Sequence, residues 1–255
     1  MRKPIIAGNW KMHKTIEEGE KLVNLLKRQL YDLEDIDIVL CPPFTHLAYI
    51  ADMLESSNIL LGAQDMHWED EGAYTGEISA PMLKSAGCKF VLIGHSERRQ
   101  LFGETNETVH KKLTSALNNG LTPIVCIGEN LKQREEGVTF ALVSEQLELA
   151  LKALQPERLK EIIIAYEPVW AIGSGKVASS EQAQEVHRYI RDWLSKNYGL
   201  SLAQEVRIQY GGSVKPDNIA GLIAQADVDG ALVGGSSLDA DSFCAIVKIV
   251  RDPTS

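Results

Sequence analysis

Ile162-Ile163-Ile164-Ala165-Tyr166-Glu167-Pro168-Val169-Trp170-Ala171-Ile172-Gly173-Ser174-Gly175-Lys176-Val177-Ala178 runs from an apolar strand into a lone carboxylate, then into a loop that opens on proline and closes on small residues. Near-continuous apolar runs of this type are how strands buried on both faces of a parallel sheet read. A buried strand does not ordinarily end in an acid, and two readings are open. Proline pushes its predecessor into an extended conformation and cannot continue a ladder, so Glu167-Pro168 can be punctuation with the carboxylate in solvent. Alternatively, the fold holds a base at a pocket mouth and hinges a loop over it.

Similar runs recur along the chain at Ile5-Ala7, Ile36-Leu40, Ile59-Gly62, Phe90-Ile93, Ile124-Ile127, Val206-Gln209 and Gly230-Val233. With Ile162-Ala165 they make eight. Segments with helical spacing lie between them, clearest at Glu17-Leu30, Thr105-Leu117, Phe140-Leu154, Glu181-Leu194 and Asn218-Ala226. In the first of these, Leu22, Leu25, Leu26 and Leu30 are expected to form one buried stripe. Ser179-Ser180 ahead of Glu181 is an N-cap signal, and Asn119-Gly120 followed by Thr122-Pro123 is a helix stop. Eight strand-helix alternations of roughly 30 residues each predict an α/β protein, a closed (β/α)₈ barrel, better than an open sheet. Nothing divides the chain, so residues 1–255 are expected to be one barrel domain.

Composition sets limits on function. The 255 residues are 44% hydrophobic and 24% charged, enough to bury a large core. No apolar run approaches the roughly 18 to 20 residues of a spanning helix, and the opening segment from Met1 to Trp10 turns to glycine and polar residues too soon for a signal peptide's apolar stretch, which predicts a soluble cytoplasmic protein without a membrane partner. Cys41, Cys88, Cys126 and Cys244 are scattered, with neither C-x-x-C pairing nor a histidine at ligand spacing, so reduced, mostly buried thiols are expected and no metal site. A formal charge of -9 disfavours nucleic acid as a partner but does not exclude a small anion, because screening makes whole-molecule charge a poor guide to a pocket.

In such a barrel the strand-to-helix loops share one face, where active sites are built. Asn9-Trp10-Lys11 brings a lysine there, although most lysines are solvated surface charges. Gly94-His95-Ser96-Glu97-Arg98-Arg99 opens a short helix, and it reads equally as a capped terminus or as a histidine whose protonation is disfavoured by the positive end of the helix dipole. Tyr210-Gly211-Gly212-Ser213-Val214 and Leu232-Val233-Gly234-Gly235-Ser236 are tight turns or, after the last two strands of a barrel, unobstructed backbone amides for a phosphate. The stretch Gly173-Ser174-Gly175-Lys176-Val177-Ala178 matches a dinucleotide pattern only superficially, since Glu-Pro-Val-Trp separates it from the strand.

Taken in order, Asn9-Trp10-Lys11-Met12, Gly94 to Arg99, Cys126-Ile127-Gly128-Glu129, Ala165 to Gly173, Tyr210 to Val214 and Asp229 to Gly235 give the chain a resemblance to the triosephosphate isomerase family over essentially its whole length. The resemblance implies an aldose-ketose isomerase of triose phosphates, with Glu167 as base, His95 as neutral electrophile, Lys11 as electrostatic catalyst and Asn9 orienting. It implies phosphate contacts at Gly173, Ser213, Gly234 and Gly235. It makes Pro168 to Ala178 a lid that includes Gly175, with Ile172 at its apolar tip and Tyr210 and Ser213 as latch, limiting phosphate elimination. Ser96, Glu97 and Cys126 fall on supporting positions. Gln64 to Glu77 resembles the loop with which each subunit of a homodimer reaches its neighbour, Thr75 approaching the other site. No metal or organic cofactor is implied. Ala7, His13, Asp65 and Ser174 depart from the residues usual in the family, and none is a catalytic side chain. Two other readings stand beside this one: an isomerase of a larger phosphorylated sugar, and a silent phosphate-binding scaffold.

Overall fold

Each apolar run forms a strand: β1 (Ile5–Asn9), β2 (Asp37–Cys41), β3 (Ile59–Ala63), β4 (Phe90–Ile93), β5 (Thr122–Ile127), β6 (Ile163–Tyr166), β7 (Arg207–Tyr210) and β8 (Gly230–Val233). The structure is a computed structural model, and it describes residues 2–172 and 177–252. The strands pair in sequence order into a closed parallel barrel. Closure is made by β1 on β8, with Ile5 beside Gly230. Gly230 has φ +147°, and a Cβ there would fall 1.8 Å from the Ile5 carbonyl oxygen, so the closing seam requires glycine.

Around the barrel lie α1 (Ile16–Leu30), α2 (Leu47–Leu54), α3 (Ala80–Ser85), α4 (Ser96–Leu101), α5 (Asn106–Asn118), α6 (Leu131–Glu135), α7 (Thr139–Ala150), α8 (Ser180–Tyr198), α9 (Leu200–Glu205), α10 (Ile219–Ile223) and α11 (Ala240–Arg251). Ser179 caps α8 as its sequence signals: its hydroxyl accepts from the Gln182 amide at 3.2 Å, and the Gln182 side chain accepts from the Ser179 amide at 3.0 Å. Losing such a cap costs about 1 kcal/mol. Asn119 ends α5, and Gly120 follows at φ +68°. Two helices stop short of expectation. The chain turns out of α7 after Ala150, with Ala153 at φ +57°, and α10 ends at Ile223.

The stripe expected on α1 needs correction, because Leu25 is 46% exposed. The buried face is Gly19, Leu22, Val23, Leu26 and Leu30. At 100° per residue these five centre between Val23 and Leu26, which turns Leu25 more than a quarter of a circle away.

Strand alternation sorts the core into two layers. Ile5, Ala7, Val39, Cys41, Leu92, Ile124, Cys126, Ile163 and Ala165 belong to the barrel interior. Ile6, Ile38, Leu40, Val91, Ile93, Val125, Ile164, Tyr166, Ile208 and Tyr210 face the helices. All four cysteines are buried and unpaired. No helix among the described residues is long and apolar enough to cross a membrane.

Candidate active site

Period-two alternation settles where the acid of β6 goes. Ala165 is interior and Tyr166 exterior, so Glu167 turns inward again at the carboxyl end of the barrel. Its backbone continues the pairing, the amide donating to the Ile127 carbonyl at 2.7 Å. Gly128, which follows β5, has φ +155°, and a Cβ there would lie 1.8 Å from the Glu167 carbonyl oxygen, so a glycine just past the strand lets the two strand ends approach. Glu167 is buried, and solvent punctuation is excluded.

Its carboxylate is held on three sides. Ser96 donates its amide to Oε2 at 2.9 Å and its hydroxyl to Oε1 at 3.1 Å, while His95 Nε2 lies 3.0 Å from Oε1. Burial would raise the Glu167 pKa, but the His95 ring and the Ser96 donors outweigh it and hold the carboxyl below its usual range. His95 caps α4, its Nδ1 accepting from the Glu97 amide at 3.3 Å, which leaves the proton on Nε2. Burial opposes a charge on this ring, yet the Glu167 carboxylate outweighs burial and moves the His95 pKa upward. This direction is opposite to the one expected from the helix terminus, because the sequence alone did not place a carboxylate against the ring.

Lys11 stands at φ +53°, an uncommon conformation for a residue with a side chain. The local structure fixes it there: the Asn9 side chain accepts from the Lys11 amide at 3.0 Å, and Gln64 donates to the Lys11 carbonyl at 2.8 Å. The Lys11 ammonium lies 2.5 Å from the Glu97 carboxylate.

Asn9, Lys11, His95, Ile172, Ser213, Gly234 and Gly235 all line one cavity of about 480 Å³ at this end of the barrel. Ser236, quoted only within the β8 turn, shares its wall with Lys215, Asp239 and Ser242, which the sequence reading did not single out. A Cβ on Gly235 would meet nothing within 4 Å, and one on Gly234 only the Lys11 side chain at 3.5 Å. Among the described residues nothing packs where a side chain at 235 would stand, which leaves the backbone there open to the cavity. At β7 the case differs: a Cβ on Gly211 would lie 2.9 Å from Glu167 Cγ, and one on Gly212 would lie 2.2 Å from the Tyr210 hydroxyl.

Glu167 does not line that cavity. It faces a smaller space of about 160 Å³ on the other side of the His95-Ser96 turn, beside Arg99, Gly128 and Val169. Of the expected lid, Pro168, Ile172 and Ala178 are described, whereas Gly173 and Gly175 lie outside the described residues. Cys126 is buried in the barrel interior, where burial pushes its thiol pKa well up. Thr75 sits apart from this chain's own site, in a groove with Tyr74, Arg98, Phe102 and Glu104.

Glu129 was quoted only as part of a motif, and its position gives it a task. It is fully buried and accepts from the Tyr166 hydroxyl at 3.1 Å and from the Trp170 indole at 2.9 Å, and its carbonyl takes the Val169 amide at 3.0 Å. It thereby pins the chain just before and just after Pro168. An acid closing the apolar run of β5 was the available signal, the same one that marked Glu167.

A closed parallel barrel with a carboxylate, an imidazole and an ammonium beside a glycine-walled cavity is the construction of an enzyme that handles a small anionic ligand. The chain belongs to the triosephosphate isomerase family, whose model matches residues 4–250. It is 58% identical to the triosephosphate isomerase of Moorella thermoacetica over 97% of this chain and 99% of that one. It is 56% identical to that of Thermoanaerobacter pseudethanolicus, over 97% and 100% of the two chains, and 53% identical to that of Geotalea uraniireducens, over 97% and 99%.

Proposed function

We propose that this barrel, acting as a single domain, interconverts dihydroxyacetone phosphate and D-glyceraldehyde 3-phosphate through an enediolate. One observation carries the reading: Lys11, His95 and the glycine turns of β7 and β8 converge on one cavity, and the Glu167 carboxylate waits within 3.0 Å of His95.

In this reading the phosphate rests against the backbone at Ser213, Gly234 and Gly235, and at Gly173 when the lid closes. Glu167 leaves Ser96, enters the cavity, takes the proton from C1 of dihydroxyacetone phosphate to give the C1–C2 enediolate, and returns it to C2, the former carbonyl carbon, the reverse direction running from C2 to C1. His95 Nε2–H donates to the oxygen on which negative charge develops, and the Lys11 ammonium stabilises the same charge, with Asn9 holding the lysine backbone. The upward pull on the His95 pKa comes first from Glu167 and then from Glu97, and its larger share departs with Glu167. Burial and the Lys11 charge, which both act downward, then keep the imidazole neutral while it donates. Ser96 and Glu97 park the base and the lysine between turnovers.

A coupled assay with glyceraldehyde 3-phosphate tests the reading. Turnover of triose phosphates supports it. Activity only on a larger phosphosugar, or tight phosphoglycolate binding without turnover, rejects it. The same reading makes the active form a cytoplasmic homodimer in which the loop of residues 64–77 carries Thr75 toward the partner's site.

A further inference from the structure

Tyr166 and Tyr210 are the last residues of β6 and β7, and they stand side by side in the barrel register. Both point outward, and one imidazole, that of His187 on α8, packs against both rings. It meets Tyr166 edge-on with centroids 5.8 Å apart, and it meets Tyr210 tilted at 6.4 Å. His187 is completely buried. Its Nδ1 lies 3.0 Å from the Asp227 carbonyl oxygen, which fixes the proton on Nδ1, and its Nε2 is buried with no hydrogen-bond partner among the described residues. Asp227 is itself braced by Gln184 at 2.7 Å and Arg191 at 2.8 Å, so the ring is anchored at its back. A buried ring nitrogen left unpaired is destabilising, a cost that a leucine or phenylalanine would not bear if volume were the only requirement.

The two tyrosines serve the two ends of the same loop. Through Glu129, Tyr166 is tied to Trp170 at the lid's start. The Tyr210 hydroxyl and Pro168 Cγ lie 2.2 and 3.0 Å from where a Cβ on Gly212 would fall, and burial pushes the Tyr210 pKa up to about 12 against a smaller downward pull from the Ala178 backbone at the lid's other end. We propose that His187 is a positioning residue for the lid, a fixed neutral ring that holds the hinge tyrosine Tyr166 and the latch tyrosine Tyr210 in one arrangement so that both ends of the loop engage together. Burial first, and the neighbouring Arg191 charge, hold the ring's pKa down at about 4, so it stays neutral through the working range. The inference rests on the reading of residues 168–178 as a lid.

A loosened lid has a distinctive chemical consequence. In an enediolate exposed to water, the C–O bond to phosphate breaks, the enediolate electron pair forms the new C=C bond, and phosphate leaves with the bonding electrons. The test follows glyceraldehyde 3-phosphate turnover by two readouts, kcat/KM and inorganic phosphate released per turnover. His187→Asn keeps a donor for the Asp227 carbonyl and removes the ring, whereas His187→Phe keeps a neutral ring and loses the donor. His187→Asn and Tyr210→Phe are each expected to lower kcat/KM about tenfold and to raise phosphate release, and the double variant is expected to be no worse than the weaker single. His187→Phe loses thermal stability and keeps the wild-type ratio of isomerisation to elimination. If Tyr210→Phe raises phosphate release and His187→Asn does not, the role of His187 is overturned. If Tyr210→Phe itself leaves phosphate release unchanged, the lid reading fails instead. A stability loss shared by both His187 variants, with the ratio unchanged, reduces His187 to a packing residue.

Discussion

Ser96 holds both carboxylate oxygens of Glu167, the amide at 2.9 Å from one and the hydroxyl at 3.1 Å from the other. A base gripped this way is parked, since each of these donors must be released before the carboxylate can reach a carbon-bound proton. Ser96→Ala removes the hydroxyl and leaves the amide. The remaining grip is weaker, so the Glu167 pKa, depressed in part by that hydroxyl, is expected to rise. The acid limb of the kcat/KM profile should move to higher pH. An unmoved acid limb would mean that Ser96 plays no part in tuning the base.

Glu167→Asp retracts the carboxylate by about 1 Å, and misplacement of that size is expected to cost on the order of 10²-fold in kcat with the circular dichroism spectrum unchanged. The carboxylate is buried in a pocket shaped by Gly128 and Gly211, so the backbone has no room to follow the shortened side chain. Near-normal activity in this variant would reject Glu167 as the base.

Lys11 is held at φ +53° by Asn9 and Gln64, and its ammonium is paired with Glu97 on the cavity's edge. Lys11→Gln retains a polar side chain on the same backbone and removes the charge. A loss of at least about 10²-fold in kcat/KM is expected, since charge stabilisation at the reacting oxygen accounts for several kcal/mol in sites of this kind. Asn9→Ala should produce a milder version of the same defect by freeing the lysine backbone. Steady-state kinetics on both variants separates the two effects.

The legibility of this molecule follows the range of the interactions involved. Strands buried on both faces announce themselves as near-continuous apolar runs, and all eight were legible for that reason. Glu167 was visible because an acid at the end of such a run is locally inconsistent, and the glycine pairs because two similar turns follow the last two strands. Leu25 was misplaced because three- and four-residue spacing fits more than one stripe, and only the barrel decides which one is covered. The partners of Glu129, the place of His187 and the direction of the His95 pKa shift were not legible. Each depends on a partner brought close by the closed sheet, such as Tyr166 reaching Glu129 across 37 positions.

Arg191 shows the same long-range dependence in stability. Its guanidinium, buried on α8, bridges Asp227 at 2.8 Å and Asp229 at 2.7 Å, and it donates to the Ala203 and Val206 carbonyls at 2.7 and 2.8 Å. Arg191→Met takes the buried cation from two carboxylates, which keep Gln184 on Asp227 and Arg2 and the Ile208 amide on Asp229, and removes a donor from two carbonyls. Breaking a buried pair in this way costs on the order of 3–5 kcal/mol. Denaturant unfolding should show a midpoint shift of that size with little change in slope, and a change within 1 kcal/mol would mean that solvent or the Arg2 side chain, also paired to Asp229, takes over.

His187 makes stability depend on pH with a definite sign. Its folded pKa is about 4 against an ordinary 6.5, so between these values the unfolded chain binds a proton that the folded chain refuses. Stability contributed by the neutral ring is complete above pH 6.5 and is lost as pH falls toward 4, a loss on the order of 3 kcal/mol across the window. His187→Phe has no proton to refuse. Its unfolding free energy should therefore be lower than that of the parent at pH 7 yet fall less steeply on acidification, the two curves converging near pH 4. Parallel curves would show that His187 does not titrate in the unfolded chain alone and would contradict its neutrality in the folded one.

The surface next to the site supplies the last prediction. Met12 is 94% exposed, Leu101 72% and Phe102 68%, a set of large apolar side chains left open to water in the single chain. Met12 adjoins Lys11, whose carbonyl is bonded to Gln64 at the root of the 64–77 loop, and Phe102 lies beside Thr75 in that loop's own groove. Burying these groups against a second copy would brace the lysine and the loop together, coupling assembly to activity. Sedimentation equilibrium is expected to give a dimer. Thr75→Arg, placing a long cation at the loop's tip, should shift the protein toward monomer and lower kcat in proportion to the monomer present. A fully active monomer in the parent protein would sink this reading.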